Sequence, residues 1–315
     1  MAQRHTSSSS ELAEAPTTGR TARRNGSREG RMGSVLLRIV VFALLAALVG
    51  AGVYALVRPI EAERTMIGVE RQWRSSFSKM GLALPGTPDL AKLDKRLAES
   101  GLKAGAPILL RVFKREFELE LWMMREGRFR LFATYPICKW SGELGPKIKQ
   151  GDRQAPEGFY TVDRRALNPK SAWHRSFNLG FPNAFDRAHG RTGSLLMVHG
   201  GCGSIGCYAM TNPVIDEIWR LVTAALDAGQ ERFQVQVMPF RMTDANLARH
   251  DGSPLAGFWR DLKPGTDLFE TNRIPPRVSV CGKRYVFAAG EAGYAGSAPI
   301  DAECAPGSAA APVPP

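Results

Sequence analysis

Twelve residues from His199 to Met210 carry an imidazole, two thiols and four glycines. They follow the apolar run Leu195 to Val198, which has the length and composition of a buried strand. They precede Thr211-Asn212-Pro213, which reads as a helix start with proline in the first turn. The pattern puts His199 at a strand end, a glycine-rich loop after it, and Cys207 just ahead of a helix. Such a set suits nucleophilic attack by sulfur, with His199 as base. Lowering a thiol pKa by ~2 units raises the thiolate fraction at pH 7 from ~3% to roughly 75%. The anion is then about eightfold less nucleophilic, so the net gain is only about threefold. Positioning and stabilisation of the tetrahedral oxyanion must therefore contribute more. The amide of Cys207, with Gly206 or Ser204 beside it, is the expected oxyanion donor.

Two other readings compete for these residues. Cys202 is a rival nucleophile, placed farther from the helix start. A zinc site from His199, Cys202, Cys207 and His189 would use the same side chains, but their spacing lacks a paired C-x₂-C arrangement. The thiol mechanism needs no metal and no organic cofactor. Five cysteines, 138, 202, 207, 281 and 304, leave at least one unpaired in an oxidising compartment. A Cys281–Cys304 bridge is one pairing open to them.

The string from Met197 to Gly200, then Ser204-Ile205-Gly206-Cys207 and Tyr208-Ala209-Met210, resembles the signature of YkuD-type L,D-transpeptidases, in the YafK-like branch. Further blocks agree in order: Gly142 to Lys147, Gly151-Asp152, Ala155 to Tyr160, and Ser176 to Asn183. The resemblance covers roughly Pro107 to Pro239. It implies a periplasmic enzyme acting on peptidoglycan stem peptides, with Cys207 as nucleophile and His199 as its base. The chain has Ile205 where the common form has a second histidine, and Ala209 where many members have arginine. The YafK-like branch also implies hydrolysis of the bond between diaminopimelate and an outer-membrane lipoprotein, so transfer and hydrolysis both stand. A wall-binding module without catalysis is the alternative of a different class. His189, Tyr160, Lys147 and Arg187 are candidates to line the substrate cleft, with Asn178 a further one.

The elements that must hold this loop can be read along the chain. Residues 1–34 are Ser-, Thr- and Arg-rich and are expected to be disordered and cytoplasmic. Residues 35–58 are expected to form a transmembrane anchor. Ile39 to Val57 is uncharged, about 28 Å as a helix against a ~30 Å hydrocarbon core. Seven arginines precede it, which keeps the N-terminus in the cytoplasm and sends the rest to the periplasm. The competing reading is a signal peptide cleaved near Ala55. Residues 59–105 form a helical spacer, with a short helix from Thr87 that carries Leu90, Leu93 and Leu97 and stops at Gly101.

Residues 106–240 are the catalytic domain, expected to be α+β and mainly β, with flanking helices. Its strands are Pro107–Phe113, Glu116–Trp122, a run at Arg128–Leu131, Gly158–Val162, Leu195–Val198 and Phe233–Met238. A three-residue loop at Glu126-Gly127-Arg128 would set the glutamates of one strand beside the arginines of the next. Val214 to Ala225 form a helical stripe behind the nucleophile loop. Residues 241–289 form a C-terminal extension whose helix, carrying Leu255 to Leu262, ends at Pro264-Gly265, followed by two short strands from Arg277. Residues 290–315 read as a disordered Ala/Pro-rich tail. A formal charge of +12 calls for an acidic partner. Nucleic acid is disfavoured, because the chain shows no recognised binding motif for it and carries an export segment.

Overall fold

The structure, a computed structural model, describes residues 26–300. The chain divides after Pro59 into two units, each taken by itself. The first contains helix α1 (Gly26–Val57), which starts inside the stretch expected to lack structure. Its segment Ser34–Val57 has mean hydropathy 2.6 and is 0% buried. Among the described residues nothing covers that apolar surface, and its length suits a bilayer span.

The second unit is a pair of five-stranded sheets with helices at their flanks. It opens with α2 (Pro59–Lys79), a 3₁₀ turn at Leu90–Lys92, and α3 (Leu93–Glu99), which ends at Gly101 with φ +64°. Leu93 and Leu97 turn into the core, as the leucine spacing requires. The strands that follow are β1 (Ile108–Phe113), β2 (Glu118–Arg125), β3 (Arg128–Pro136), β4 (Lys139–Trp140), β5 (Gly158–Asp163), β6 (Leu167–Ser171) and β7 (His174–Asn178). After α4 (Ala184–Ala188) come β8 (Met197–His199), β9 (Tyr208–Ala209), α5 (Asn212–Asp227) and β10 (Arg232–Met238). One sheet runs β3-β2-β1-β10-β5 and the other β4-β9-β8-β7-β6. Both are mixed: β1 pairs β10 in parallel, and β8 pairs β9 in parallel. Their apolar faces, with the Val214–Leu226 stripe of α5, form one core in which Leu110, Val112, Val198, Tyr208 and Val235 are 0% exposed.

The β2–β3 hairpin departs from expectation. Arg125 pairs directly with Arg128, leaving a two-residue turn in which Glu126 and Gly127 both have positive φ. That turn matches the right-handed twist of the strands. A register shift at Leu121/Trp122 then restores the inward faces of Leu119 and Leu121. Glu118 and Glu120 meet Arg241 rather than the arginines of β3.

Residues beyond β10 pack on the same body. α6 (Asp244–Arg249), α7 (Ala256–Asn272) and the hairpin β11 (Arg277–Cys281) with β12 (Arg284–Ala288) share a cluster with Phe113, Phe159 and Met238. α7 does not stop at Pro264-Gly265 but runs through them. The hydrogen bond lost at Pro264 leaves the carbonyl of Arg260, an exposed residue. Gly265 admits Phe287 and Phe159, which would lie 2.3 and 2.7 Å from an added Cβ. The tail expected from residue 290 is instead packed as far as Ile300: Gly293 donates to the Gly127 carbonyl, and Ile300 is 3% exposed; residues 301–315 lie outside the described residues. Cys304 lies outside the described residues, while Cys281 is disulfide-bonded.

Candidate active site

The parallel pair β8/β9 sets the geometry. Val198 stands opposite Tyr208, and His199 opposite Ala209. Val198 and Tyr208 point into the core, so alternation puts His199, Ala209 and Cys207 on the other face. Cys207 directly precedes β9. The Met197 amide donates to its sulfur at 3.4 Å, and the thiol faces the Leu195 carbonyl at 3.6 Å. Helix α5 begins five residues later, beyond β9. Its first residue, Asn212, meets the loop at the Gly201 amide.

His199 is 2% exposed. Its Nδ1 lies 2.5 Å from the Gly200 carbonyl. A carbonyl only accepts, so the neutral ring carries its proton on Nδ1 and a lone pair on Nε2. Burial lowers the His199 pKa, and the Gly200 carbonyl partly restores it. Burial likewise raises the Cys207 pKa, against which the Met197 amide and the charge of Lys147 act in the lowering direction. Both shifts favour uncharged forms. Burial therefore works against a thiolate–imidazolium pair in this site.

The loop between them is tied at several points. Cys202 forms a disulfide with Cys138, and its amide donates to the Met210 carbonyl at 3.2 Å. Cys202 is thereby removed both as nucleophile and as a ligand of the rival zinc arrangement. Cys207 is the free cysteine among the described residues. Asn212 Oδ1 accepts the Gly201 amide at 2.8 Å. Trp173 lies across the loop, 2.9 Å from a Cβ added at Gly203, with its ring 5.6 Å from that of His199.

Ser204 Oγ accepts the Cys207 amide at 3.1 Å and donates to the Cys207 carbonyl at 2.6 Å. Ser141 approaches from the other side, 3.2 Å from Ser204 Oγ, and accepts the Gly206 amide. The two amides named as oxyanion donors thus each hold a serine hydroxyl in the resting site. Ser141 belongs to the segment from Ser141 to Glu157, which is anchored from below by a buried ion pair. Lys114 Nζ lies 2.9 Å from Glu157 Oε1, both side chains 0% exposed, and Glu157 also accepts the Gly145 amide and the Trp259 indole.

The remaining candidates divide. Lys147 is near enough to act on Cys207, but it is 3% exposed and paired with Asp152. Its ammonium therefore acts through its field, with little surface for a ligand. Tyr160 is 1% exposed, its hydroxyl 3.1 Å from Asp186, and burial pushes its pKa well above 10. Little of its surface is open, although with Asn178 and Asn183 it borders a surface pocket. His189 caps α4, with Nδ1 2.9 Å from the Phe185 carbonyl and its ring on Phe185. Arg187 donates to the Pro182 carbonyl on the exposed side of α4. Asn178 accepts the Gly180 amide in a local turn. Sequence reasoning missed Ser141, Trp173 and Asn212 because a serine, a turn tryptophan and a helix-start asparagine carry no spacing signal. Only the paired blocks around Gly142 hinted that this segment meets the loop.

A free thiol and an imidazole thus share one face of a mixed sheet, beside loop amides bound to serine hydroxyls. The chain belongs to the family of the YkuD L,D-transpeptidase catalytic domain, whose profile matches residues 116–253. These are enzymes that modify peptidoglycan. The protein YafK of Escherichia coli (strain K12) is 54% identical over 182 residues, 58% of this chain and 74% of that protein. Among solved structures, the helical cell shape determining protein Pgp2 from Campylobacter jejuni is 22% identical. It covers 57% of this chain and 67% of its own, with a TM-score of 0.36. Bd1075 of Bdellovibrio bacteriovorus is 18% identical, covering 52% and 61%, with a TM-score of 0.32.

Proposed function

We propose that the chain acts on diaminopimelate-containing stem peptides through a thioester on Cys207. His199 Nε2 takes the thiol proton as Sγ attacks the amide carbonyl at the L-centre of diaminopimelate. The C–N bond to D-Ala then breaks, and the proton passes from His199 to the departing amine. An acceptor amine, or water, attacks the thioester and restores the thiol. The observation that carries this reading is the free thiol of Cys207 on the same sheet face as an imidazole whose Nδ1 is fixed by the Gly200 carbonyl.

With burial disfavouring the charged forms of both groups, proton transfer is expected to accompany attack rather than precede it. Cys207→Ser and His199→Ala should each lower turnover by about 10³-fold or more, with the fold retained. Mass spectrometry of defined muropeptides and of the intact protein checks this. Residual activity within tenfold of wild type in either variant would refute the assigned roles. The released product distinguishes the two outcomes for the thioester: a new amide marks transfer, and a shortened peptide marks hydrolysis, including release of a wall-linked lipoprotein. Helix α1 anchors the enzyme in the inner membrane in this reading, and the catalytic unit works in the periplasm on wall peptides near that surface.

A further inference from the structure

Ser141 stands outside the loop that carries the nucleophile, yet the hydrogen-bond directions make it part of that loop's support. The Cys207 amide can only donate, so Ser204 Oγ accepts it at 3.1 Å. The Cys207 carbonyl can only accept, so the single hydroxyl proton of Ser204 goes to it at 2.6 Å. Ser204 then has no proton left for Ser141. In the 3.2 Å contact between them, Ser141 is the donor. Ser141 Oγ in turn accepts the Gly206 amide. Every hydroxyl proton in the set has one destination.

Two consecutive amides, of Gly206 and Cys207, therefore converge on two touching hydroxyls. Successive N–H groups aimed at one point form an anion-binding concavity. The turn needs φ +115° at Gly206, a conformation that a side chain would oppose.

We propose that Ser141 is a positioning residue for acyl transfer: its hydroxyl holds the Gly206 amide, and through Ser204 the Cys207 amide, aimed at the point where the oxyanion forms. The inference rests on the Cys207 thioester reading. As Sγ bonds to the carbonyl carbon, the π pair moves onto oxygen and the thiol proton moves to His199 Nε2. The new oxyanion then replaces Ser141 Oγ at the Gly206 amide.

Two effects of Ser141 oppose each other. As a resting acceptor it competes with substrate, but a neutral hydroxyl yields to an anion whose hydrogen bonds are roughly twice as strong. As an aligner it protects a donor whose loss costs about 10²–10³-fold in rate. Alignment is the larger effect, so removing the hydroxyl slows the reaction.

The test compares the full chain as wild type, Ser141→Ala and Ser141→Thr. Single-turnover acylation by a tetrapeptide muropeptide is followed by intact mass, and alkylation of Cys207 by iodoacetamide is followed in parallel. Alkylation uses the same sulfur but forms no oxyanion. Ser141→Ala should acylate about 10- to 100-fold more slowly, with half-saturation and alkylation rate within about twofold of wild type; these magnitudes scale from the loss of one oxyanion donor. Ser141→Thr should recover most of the rate. The inference is overturned if Ser141→Ala acylates at the wild-type rate or faster, or if alkylation falls in step with acylation. It is overturned too if the threonine variant is no faster than the alanine one. A wild-type enzyme that consumes the peptide without ever forming a Cys207 adduct defeats the thioester reading itself, and this inference with it.

Discussion

Burial favours the uncharged forms of both His199 and Cys207, with consequences for pH dependence that can be measured. Burial lowers the imidazole pKa, so the base stays unprotonated to lower pH than an ordinary histidine at about 6.5. Activity is lost only when His199 becomes charged, so the acid limb of kcat/KM should have its midpoint below pH 6.5. Burial raises the thiol pKa, so iodoacetamide alkylation should keep accelerating past the ordinary cysteine value of about 8.5. A pre-formed ion pair would instead give fast alkylation, nearly flat from acid pH upward. A plateau reached by pH 7 would rule out the neutral pair. The types and order of His199, Ser204, Gly206 and Cys207 were legible in the sequence. Their charge states were not, because desolvation depends on what covers a side chain rather than on its neighbours in the chain.

At the scale of elements, the loop from Gly200 to Gly206 owes its shape to tethers from elsewhere. The Cys138–Cys202 disulfide joins it to the strand connection after β3 across 64 residues of chain. Closing a loop of that length stabilises the fold by about 4 kcal/mol in the chain-entropy picture. Replacing both cysteines by alanine should therefore lower unfolding free energy by about 2–4 kcal/mol and reduce acylation, read from denaturant curves and single-turnover rates. An unchanged denaturant midpoint would mean the bridge does not constrain the loop. The strands themselves were readable from alternation in β2, β3 and β10 and from an apolar run in β1. The turn at Glu126-Gly127 and the passage of α7 through Pro264 were not. In each case twist or side-chain packing outweighed a local rule: strand twist selected the shorter turn, and Phe159 and Phe287 packed against Gly265.

For the whole molecule, an uncovered apolar helix and a folded catalytic body make different demands. The Ser34–Val57 segment presents exposed side chains such as Phe42, Leu48 and Leu56 at 73%, 68% and 84%. Water would penalise that surface by roughly 25 cal/mol per Å², so a bilayer is its expected environment. Expressed at full length, the protein should sediment with membranes and resist alkaline carbonate extraction, with its N-terminus intact by mass. A soluble product beginning near residue 56 would establish cleavage instead. Deletion of residues 1–58 should leave acylation of soluble muropeptides within about threefold of full length, if the helix serves only as an anchor.

Residue order alone determined the apolar N-terminal helix, the main strands, the α5 stripe and the placing of His199 and Cys207 around one glycine-rich loop. Each depends on composition or short-range periodicity, which the chain displays directly. Tertiary structure decided that Cys202 is bridged to Cys138, that Lys147 and Tyr160 are enclosed, and that Ser141 reaches the Gly206 amide across 65 positions of sequence. Those outcomes depend on which surfaces are desolvated together and which donors meet which acceptors. Long-range packing sets both, and no local pattern encodes either.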